Sequence, residues 1–303
     1  MSAGLTRRNA KAVECFQRDK SICPIFKPRG AICYDQRVLS FKGLTTVSLW
    51  AMRGRLLVPF VCGAYQRERQ GRVKGQADLV YREGKFYLLC TIEMPEAAPI
   101  EPVDVIGVDL GIVNIATDST GEVFSGAEVQ RNRRRRATAR KQHQRKGSKR
   151  ARRKLKHMAG RQRRFQAKTN HEISKRLVAK AKALGVGIAM EDLSGIRDRV
   201  EPTVGRRFRR QLGNWGFGQL LSFVEYKARL AGVPVIKVDP RNSSRTCSKC
   251  GHCEKGNRPD QATFRCKHCG YSSNADSNAA ENLRIRGLGC LVNQPQKSPA
   301  LAG

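Results

Sequence analysis

The sequence predicts an α/β domain of the RNase H type that carries a zinc ribbon and follows a small β-rich domain. Three observations support this prediction. From residue 103 onward the elements follow the order strand, meander, helix, strand, helix, strand, helix. Several of these elements end or begin with an acidic residue, and two Cys-x-x-Cys pairs lie near the C-terminus.

The charge of the chain is strongly unbalanced. Its 303 residues include 59 Lys and Arg against 25 Asp and Glu, a formal net charge of +34. This excess favours nucleic acid as the partner over a ribosomal or membrane-surface role, because phosphate contacts release condensed counterions. No apolar stretch reaches the roughly 18 residues of a membrane span, so we expect no membrane partner and a cytoplasmic location. In that reducing compartment most of the eleven cysteines should be free or metal-bound and not disulfide-bonded.

Residues 1–100 are predicted to form the β-rich domain. Segments 43–50 and 55–62 are rich in β-branched and aromatic residues, and 76–92 has the pattern of a hairpin that turns at Glu83, Gly84 and Lys85. A proline-rich linker, 93–102, is predicted to end the domain.

The α/β domain is predicted to comprise residues 103–239 and 271–287. It begins with strand 105–109, which continues into a meander through 114–118 and 122–125. Residues 129–170 are predicted to form one long basic helix or a helical pair, since they hold nineteen Lys and Arg and no acid. The later elements are helix 173–184, strand 185–190, helix 216–231, strand 233–239 and helix 275–286. The tail, 288–303, is predicted to be disordered.

Three acids are the predicted catalytic residues. Asp109 and Glu191 end apolar strands, and Asp276 begins the last helix. Hydrolysis of a phosphodiester by two hard cations needs carboxylate ligands, so these acids are predicted to bind Mg²⁺ or Mn²⁺. Each acid taken alone is better explained as a turn former or a helix cap, but the three together in this element order favour the catalytic interpretation. The other acids considered are Asp239, interpreted as structural, and Asp118 and Asp192, which are weaker alternatives.

Four cysteines are the predicted zinc ligands. Cys247 and Cys250 form one pair, and Cys266 and Cys269 form the second pair after fifteen intervening residues. Four thiolates close a tetrahedral Zn²⁺ site, so the ribbon, 240–270, is predicted to be structural. The alternative ligands are His252, Cys253 and His268. The ribbon's basic residues are expected to face nucleic acid: Lys249, Lys255, Arg258, Arg265 and Lys267.

Two runs of arginine are the predicted nucleic-acid contacts. The first lies in the basic helical segment and the second in a loop before helix 216–231. They are Arg133, Arg134, Arg135 and Arg136, and Arg206, Arg207, Arg209 and Arg210.

Several of these motifs resemble the TnpB/OrfB family of bacterial insertion sequences. Segment 109–114, Asp-Leu-Gly-Ile-Val-Asn, resembles the first RuvC motif of that family, 191–194 the second and 274–283 the third. Segments 238–251 and 264–271 resemble the entry and exit of its zinc ribbon. The resemblance runs from about Ile106 to Leu283, and more loosely over 24–95, which is similar to the family's β-barrel wedge domain.

The resemblance implies an RNA-guided DNA endonuclease of a transposable element. Its RuvC domain would cut target DNA by a two-metal mechanism, directed by a guide RNA from the end of the element. The location would be prokaryotic and nucleoid-associated. Family members usually carry a helical recognition insert in the wedge domain, and only about a hundred residues precede the first RuvC motif here, so we expect the insert to be lacking.

Two other functions compete with the nuclease. One is a catalytically idle, RNA-guided DNA-binding protein or repressor. The other is a basic protein of ribosomal type with a zinc ribbon. The presence of all three acids favours the enzyme over both alternatives.

Overall fold

The chain folds into two compact units. The computed structural model describes residues 17–20, 30–193 and 216–292. The units are Met1–Pro95 and Glu96–Gly303, so the division falls before the predicted one at 100–103. Residues 96–102 of the proline-rich segment belong to the second unit, where their backbone is bonded: Ile100 N donates to Gly232 O at 2.8 Å and Ala97 N to Leu230 O at 3.4 Å.

The described residues of the first unit form two three-stranded antiparallel sheets. One sheet holds β2 (Leu39–Lys42), β3 (Thr46–Ala51) and β4 (Gly54–Pro59) in that order. The other holds β1 (Ile32–Tyr34), β5 (Val73–Arg82) and β6 (Lys85–Ile92), with α1 (Ala64–Glu68) before β5. Their shared core consists of Tyr34, Leu39, Val47, Leu49 and Ala77.

The predicted hairpin turn is confirmed. Arg82 pairs with Lys85, which leaves Glu83 and Gly84 as a two-residue turn. Both turn residues have positive φ, 50° and 83°, as a type I′ hairpin turn requires. Glycine at the second position adopts this conformation at little steric cost.

The second unit contains a five-stranded sheet. Its strands are β7 (Val105–Asp109), β8 (Asn114–Asp118), β9 (Val123–Ser125), β10 (Gly187–Glu191) and β11 (Val235–Val238). Their order across the sheet is β11, β10, β7, β8, β9. The first three are parallel to one another, whereas β8 and β9 continue as an antiparallel meander.

Helices cover both faces of this sheet. On one face lie α3 (Lys149–Leu184) and α4 (Phe217–Ala231), which pack on Ile106, Val108, Ile188 and Met190. On the other lies α5 (Ala275–Val292), which packs on Val105 and Ala189 through Leu283. Successive strand residues therefore pack into the hydrophobic cores on opposite faces of the sheet, because side chains alternate between the two faces along a strand.

Glycine permits the close approach of α5 to the central strand. A Cβ at Gly107 would collide with the backbone of Ala280 and Arg284. These are backbone atoms of a helix, so they cannot rotate out of the way as a flexible side chain could. The small residue is therefore a packing requirement at this position.

The basic segment forms a helical pair, one of the two predicted arrangements. Its first helix, α2 (Ala127–Lys146), ends at Gly147, and Ser148 caps α3 by accepting a bond from Ala151 N at 3.2 Å. The prediction of a separate helix over 173–184 is wrong, because α3 continues without interruption through Gly160 to Leu184. Its apolar C-terminal half packs on the sheet and supports the polar half.

The last helix is longer than predicted. It runs to Val292 and not to Arg286, so residues 288–292 of the predicted disordered tail are helical. Leu288 and Leu291 pack on the core that α5 forms with the sheet. Within the described residues, no helix has the length and apolar character needed to cross a bilayer.

Candidate active site

Asp109 and Glu191 are brought together at the edge of the sheet. Asp109 is the last residue of β7 and Glu191 the last of β10, and the two strands are parallel neighbours in register through Met190 and Val108. In a strand, every second side chain points to the same face of the sheet. Asp109 therefore shares a face with Val105, and Glu191 with Ala189, which is the face that α5 covers.

Asp276 reaches the same place from the first turn of α5. Its Oδ2 accepts a hydrogen bond from Asn114 Nδ2 at 2.9 Å, and its Oδ1 lies 3.5 Å from Arg258 Nη2. The helix is capped by Asn274, whose Oδ1 accepts from Asp276 N at 2.9 Å. The capping explanation for Asp276 therefore fails. Its carboxylate contacts Asn114 and Arg258 and lies close enough to Asp109 to raise the pKa of that acid.

The electrostatics of the site favour a bound cation. Burial, together with the charges of Glu191 and Asp276, raises the pKa of Asp109 well above its ordinary value. Burial also raises the pKa of Glu191 to about 7, although hydrogen bonds with Ser243 and Asp109 oppose this rise. Clustered carboxylates in a buried place repel one another unless a proton or a cation lies among them. Oxygen-only ligands of this kind suit Mg²⁺ or Mn²⁺.

The three carboxylates are more widely spaced than a single tight ligand set. Among the described residues, only the four predicted zinc ligands offer three or more His, Cys, Asp or Glu atoms that all lie within 4.8 Å.

Asp118, one of the two alternative acids, and Asp239, which was interpreted as structural, are bonded to other partners. Asp118 pairs in register with Val108, so it faces α3 on the other side of the sheet. It is fully buried, accepts bonds from Thr120 and Glu122 N–H groups, and meets Lys180 Nζ at 2.6 Å. Asp239 is exposed and accepts a bond from Arg241 N at 3.0 Å. Both acids fit the structural role of turn formers.

The four predicted thiols form a compact cluster. Cys247 Sγ lies 3.7 Å from Cys269 Sγ, and Cys250 Sγ lies 3.6 Å from Cys266 Sγ. Tetrahedral zinc with Zn–S bonds of about 2.3 Å requires sulfur atoms about 3.8 Å apart. The cluster could therefore hold a metal ion such as zinc.

The backbone around the cysteines explains this geometry. Gly251 and Gly270 follow the two pairs with φ of 76° and 73°, and each N–H closes a turn onto the first cysteine of its pair. The N–H of Cys269 is the main cause that lowers the pKa of Cys266 to about 6, which favours the ligating thiolate. His252 contacts Glu254 Oε2 at 3.1 Å instead of joining the cluster.

The predicted arginine contacts divide into two kinds. Arg133 Nη2 donates to Gln166 Oε1 and Arg136 Nη1 to Met158 O, both at 3.0 Å, so these two side chains join α2 to α3. Arg134 and Arg135 are exposed. The second predicted run lies outside the described residues: Arg206, Arg207, Arg209 and Arg210.

Sequence reasoning missed several residues around the acids. Asn114 ends the segment 109–114 that was identified from the sequence, but the sequence does not indicate its contact with Asp276. Arg258, which was expected to face nucleic acid, lies 3.5 Å from Asp276, a contact that the sequence did not indicate. Ser243 Oγ lies 3.2 Å from Glu191 Oε1. No local spacing signals these contacts, because they join residues far apart in the chain.

Two families match separate parts of the chain. Residues 88–197 match the family described as "Probable transposase", OrfB of IS605. Residues 217–283 match the family described as "Cas12f1-like, TNB domain". The two matches include all three clustered acids and all four thiols.

Curated proteins of several prokaryotes are similar to this chain. The "CRISPR-associated endodeoxyribonuclease Cas12f1" of Sulfoacidibacillus thermotolerans is 43% identical over 44% of this chain and 30% of its own length. A TnpB-like protein of Methanocaldococcus jannaschii is 38% identical over 41% of this chain and 44% of its own length. The "Putative RNA-guided DNA endonuclease InsQ" of Escherichia coli K12 is 29% identical over 93% of this chain and 73% of its own length. The first curated relatives are matched over less than half of their length.

Two solved structures share the fold. A Cas12f1 chain in complex with guide RNA and target DNA has a TM-score of 0.50 at 19% identity, covering 91% of this chain and 76% of the other. A CasPhi-2 chain bound to crRNA also has a TM-score of 0.50, at 14% identity, covering 80% and 61%.

Proposed function

Since this chain belongs to the TnpB/OrfB family, we propose that it is an RNA-guided, metal-dependent DNA endonuclease of a transposable element. A relative matched over 93% of this chain is named a putative RNA-guided DNA endonuclease, and another matched over 44% is named a CRISPR-associated endodeoxyribonuclease. The observation that carries the proposal is the convergence of Asp109, Glu191 and Asp276 on one face of the sheet.

The proposed architecture follows from the topology. The second unit would be a RuvC domain of the RNase H type, with the meander of β7 to β9 and the parallel strands β10 and β11 forming its sheet. The zinc ribbon, 240–270, would be an insertion between β11 and α5. The first unit, with its two antiparallel sheets, would be the wedge-like domain.

The proposed chemistry assigns each acid a ligand role. Asp109, Glu191 and Asp276 would hold Mg²⁺ or Mn²⁺, which activates water and stabilises the leaving oxygen when bound. The buried strand ends keep Asp109 and Glu191 in fixed positions, and Asn114 orients Asp276. Arg258 adds a positive charge beside Asp276 at the edge of the same site.

The function is tested by the RNA that the protein carries. The chain is expressed together with the DNA that flanks its gene, purified, and its bound RNA sequenced. We expect one RNA from the element's end to be enriched, and we expect the complex to cut Mg²⁺-dependently only DNA that is complementary to this RNA. Binding without cutting would favour the idle binding protein. Absence of any enriched RNA, relative to cells without the flanking DNA, would contradict RNA guidance.

The helical pair α2–α3 is proposed to grip the phosphate backbone. Each lost contact should lower the slope of log K against log salt by about 0.9 on duplex DNA or about 0.7 on single strands. Because Arg134 and Arg135 are exposed, the double variant Arg134→Gln/Arg135→Gln should flatten the slope by up to about two units on duplex DNA and weaken binding to many sequences alike.

A matched control comes from the other two arginines of the run. Arg133→Gln/Arg136→Gln removes the same charge from side chains that bond within the helical pair. We expect this variant to lower the thermal stability more and the salt slope less. Equal slopes for both variants and for the wild-type chain would mean that the grip lies elsewhere.

A further inference from the structure

The segment between β11 and the zinc thiols lies against one face of α5. Three α5 residues spaced four apart bond to this segment, which places them on the same side of the helix. Asn278 Nδ2 donates to Thr246 O at 2.8 Å. Asn282 Nδ2 donates to Ser243 O at 2.8 Å and to Thr246 O at 2.7 Å. Arg286 Nη1 donates to Asp239 O at 2.6 Å.

These bonds hold a tight turn in place. Asn242 has a φ of 59°, a left-handed conformation that asparagine tolerates better than most residues. Its carbonyl oxygen accepts bonds from Arg245 N and Thr246 N, both at 3.0 Å. The turn directs Ser243, only 4% exposed, toward the end of β10.

Ser243 is the residue of this turn that contacts a clustered acid. Its Oγ lies 3.2 Å from Glu191 Oε1 and 3.0 Å from Pro240 O. A hydroxyl has one proton, so it donates to one of these oxygens at a time. When Glu191 carries a cation and is ionised, its carboxylate is the stronger acceptor, because bonds to charged groups are stronger than bonds to neutral ones.

We propose that Ser243 is a positioning residue for Glu191, and that Asn282 sets the place of Ser243. This inference rests on the proposed function, since it assumes that Glu191 binds a cation. A glutamate has three rotatable side-chain bonds, and a bond to one carboxylate oxygen restricts them. The other oxygen is thereby kept in a limited range of positions for the cation, as partners of metal ligands do in other sites.

The zinc ribbon takes part in the same arrangement. Ser243 lies four residues before Cys247, and Ala275, next to Asp276, is fully buried in the ribbon's core with Cys247 and Phe264. The backbone of Ala275 also donates to Ala262 O at 2.8 Å. The ribbon fold thus supports two of the three acids, Glu191 through Ser243 and Asp276 through Ala275.

The test measures cation binding without turnover. Zinc-replete protein is titrated with Mn²⁺ in the absence of nucleic acid, and the free ion is followed by electron paramagnetic resonance. We expect Asp109→Ala to abolish one Mn²⁺ site. Ser243→Ala should keep this site but lower its affinity for Mn²⁺ by about tenfold or more. Ser243→Thr keeps the hydroxyl and should restore most of the affinity. In cleavage assays, Ser243→Ala should need a higher Mg²⁺ concentration to reach half of its maximal rate. At saturating Mg²⁺ it should recover much of the wild-type cleavage rate.

Ser174→Ala is the matched control. Ser174 is also a fully buried serine of the second unit, but its hydroxyl bonds to Asn170 O at 2.7 Å within α3. This variant should bind Mn²⁺ like the wild-type chain.

Three outcomes would overturn the inference. Wild-type Mn²⁺ affinity in Ser243→Ala would show that the hydroxyl does not position Glu191. Loss of zinc in Ser243→Ala would show that Ser243 only stabilises the ribbon. If Asp109→Ala also left Mn²⁺ binding unchanged, the proposed metal site itself would be wrong, which separates the failure of the proposed function from the failure of this inference alone.

Discussion

Asp109→Ala is expected to abolish DNA cleavage while leaving affinity for nucleic acid nearly unchanged. Asp109 ends the central strand, and the charges of Glu191 and Asp276 both act on its carboxylate. Its loss would therefore remove the acid that interacts with both of the others. A cation that stabilises the leaving oxygen contributes several kcal/mol to the transition state, so the rate should fall by roughly three orders of magnitude or more. Removal of one negative charge from a chain of net charge +34 does not weaken its grip on phosphates.

The measurement compares single-turnover cleavage with binding at one salt concentration. Asp239→Ala serves as the control, because Asp239 also follows a strand of the same sheet but is exposed and bonds to the N–H of Arg241. This control should cut at close to the wild-type rate. If Asp109→Ala cut DNA as fast as the wild-type chain, the site would lie elsewhere.

Cys266→Ser is expected to lose the zinc ion and the fold of the ribbon together. The purified wild-type chain should contain about one zinc. Structural zinc contributes about 10–16 kcal/mol of apparent binding free energy in small zinc-finger peptides. Cys266 is buried in the ribbon core with Cys247, Phe264 and Ala275, so its replacement removes both a ligand and a packing partner. Because Ala275 precedes Asp276, cleavage should also fall.

Elemental analysis and amide hydrogen exchange over 240–270 check this expectation. Cys253→Ser is the matched control, since Cys253 is an exposed cysteine of the same ribbon that lies outside the cluster. It should keep its zinc and its protection from exchange. A zinc content near zero in the freshly purified, folded wild-type chain would refute the site.

Strong local patterns predicted much of the fold. The strands over 105–109 and 114–118 have the predicted bounds, and the predicted hairpin turn is present at Glu83 and Gly84, with Lys85 already in the next strand. Periodicity and turn chemistry are local properties, which is why the sequence indicates them. The continuous α3 and the extended α5 differ from prediction. Packing of their apolar residues on the sheet stabilises helix where the local pattern indicated a break or an end.

The candidate site was only partly predictable for a related reason. The sequence by itself determined which residue types stand at the ends of elements, and it determined the cysteine spacing that the thiol cluster follows. Asp109, Glu191 and Asp276 were predicted from these positions, and their catalytic roles stay predictions. Asp118 stands at a strand end in the same way, so the sequence alone did not separate it from Asp109 by physical argument.

Only the tertiary structure separated these acids and supplied their partners. The pairing of Asp118 with Val108 turns it toward Lys180 on one face of the sheet, whereas Asp109 faces α5 on the other. The contacts of Asn114 with Asp276 and of Ser243 with Glu191 join residues 162 and 52 positions apart. Such contacts depend on strand register and helix docking, which are set by burial over the whole unit and leave no periodic trace in the sequence.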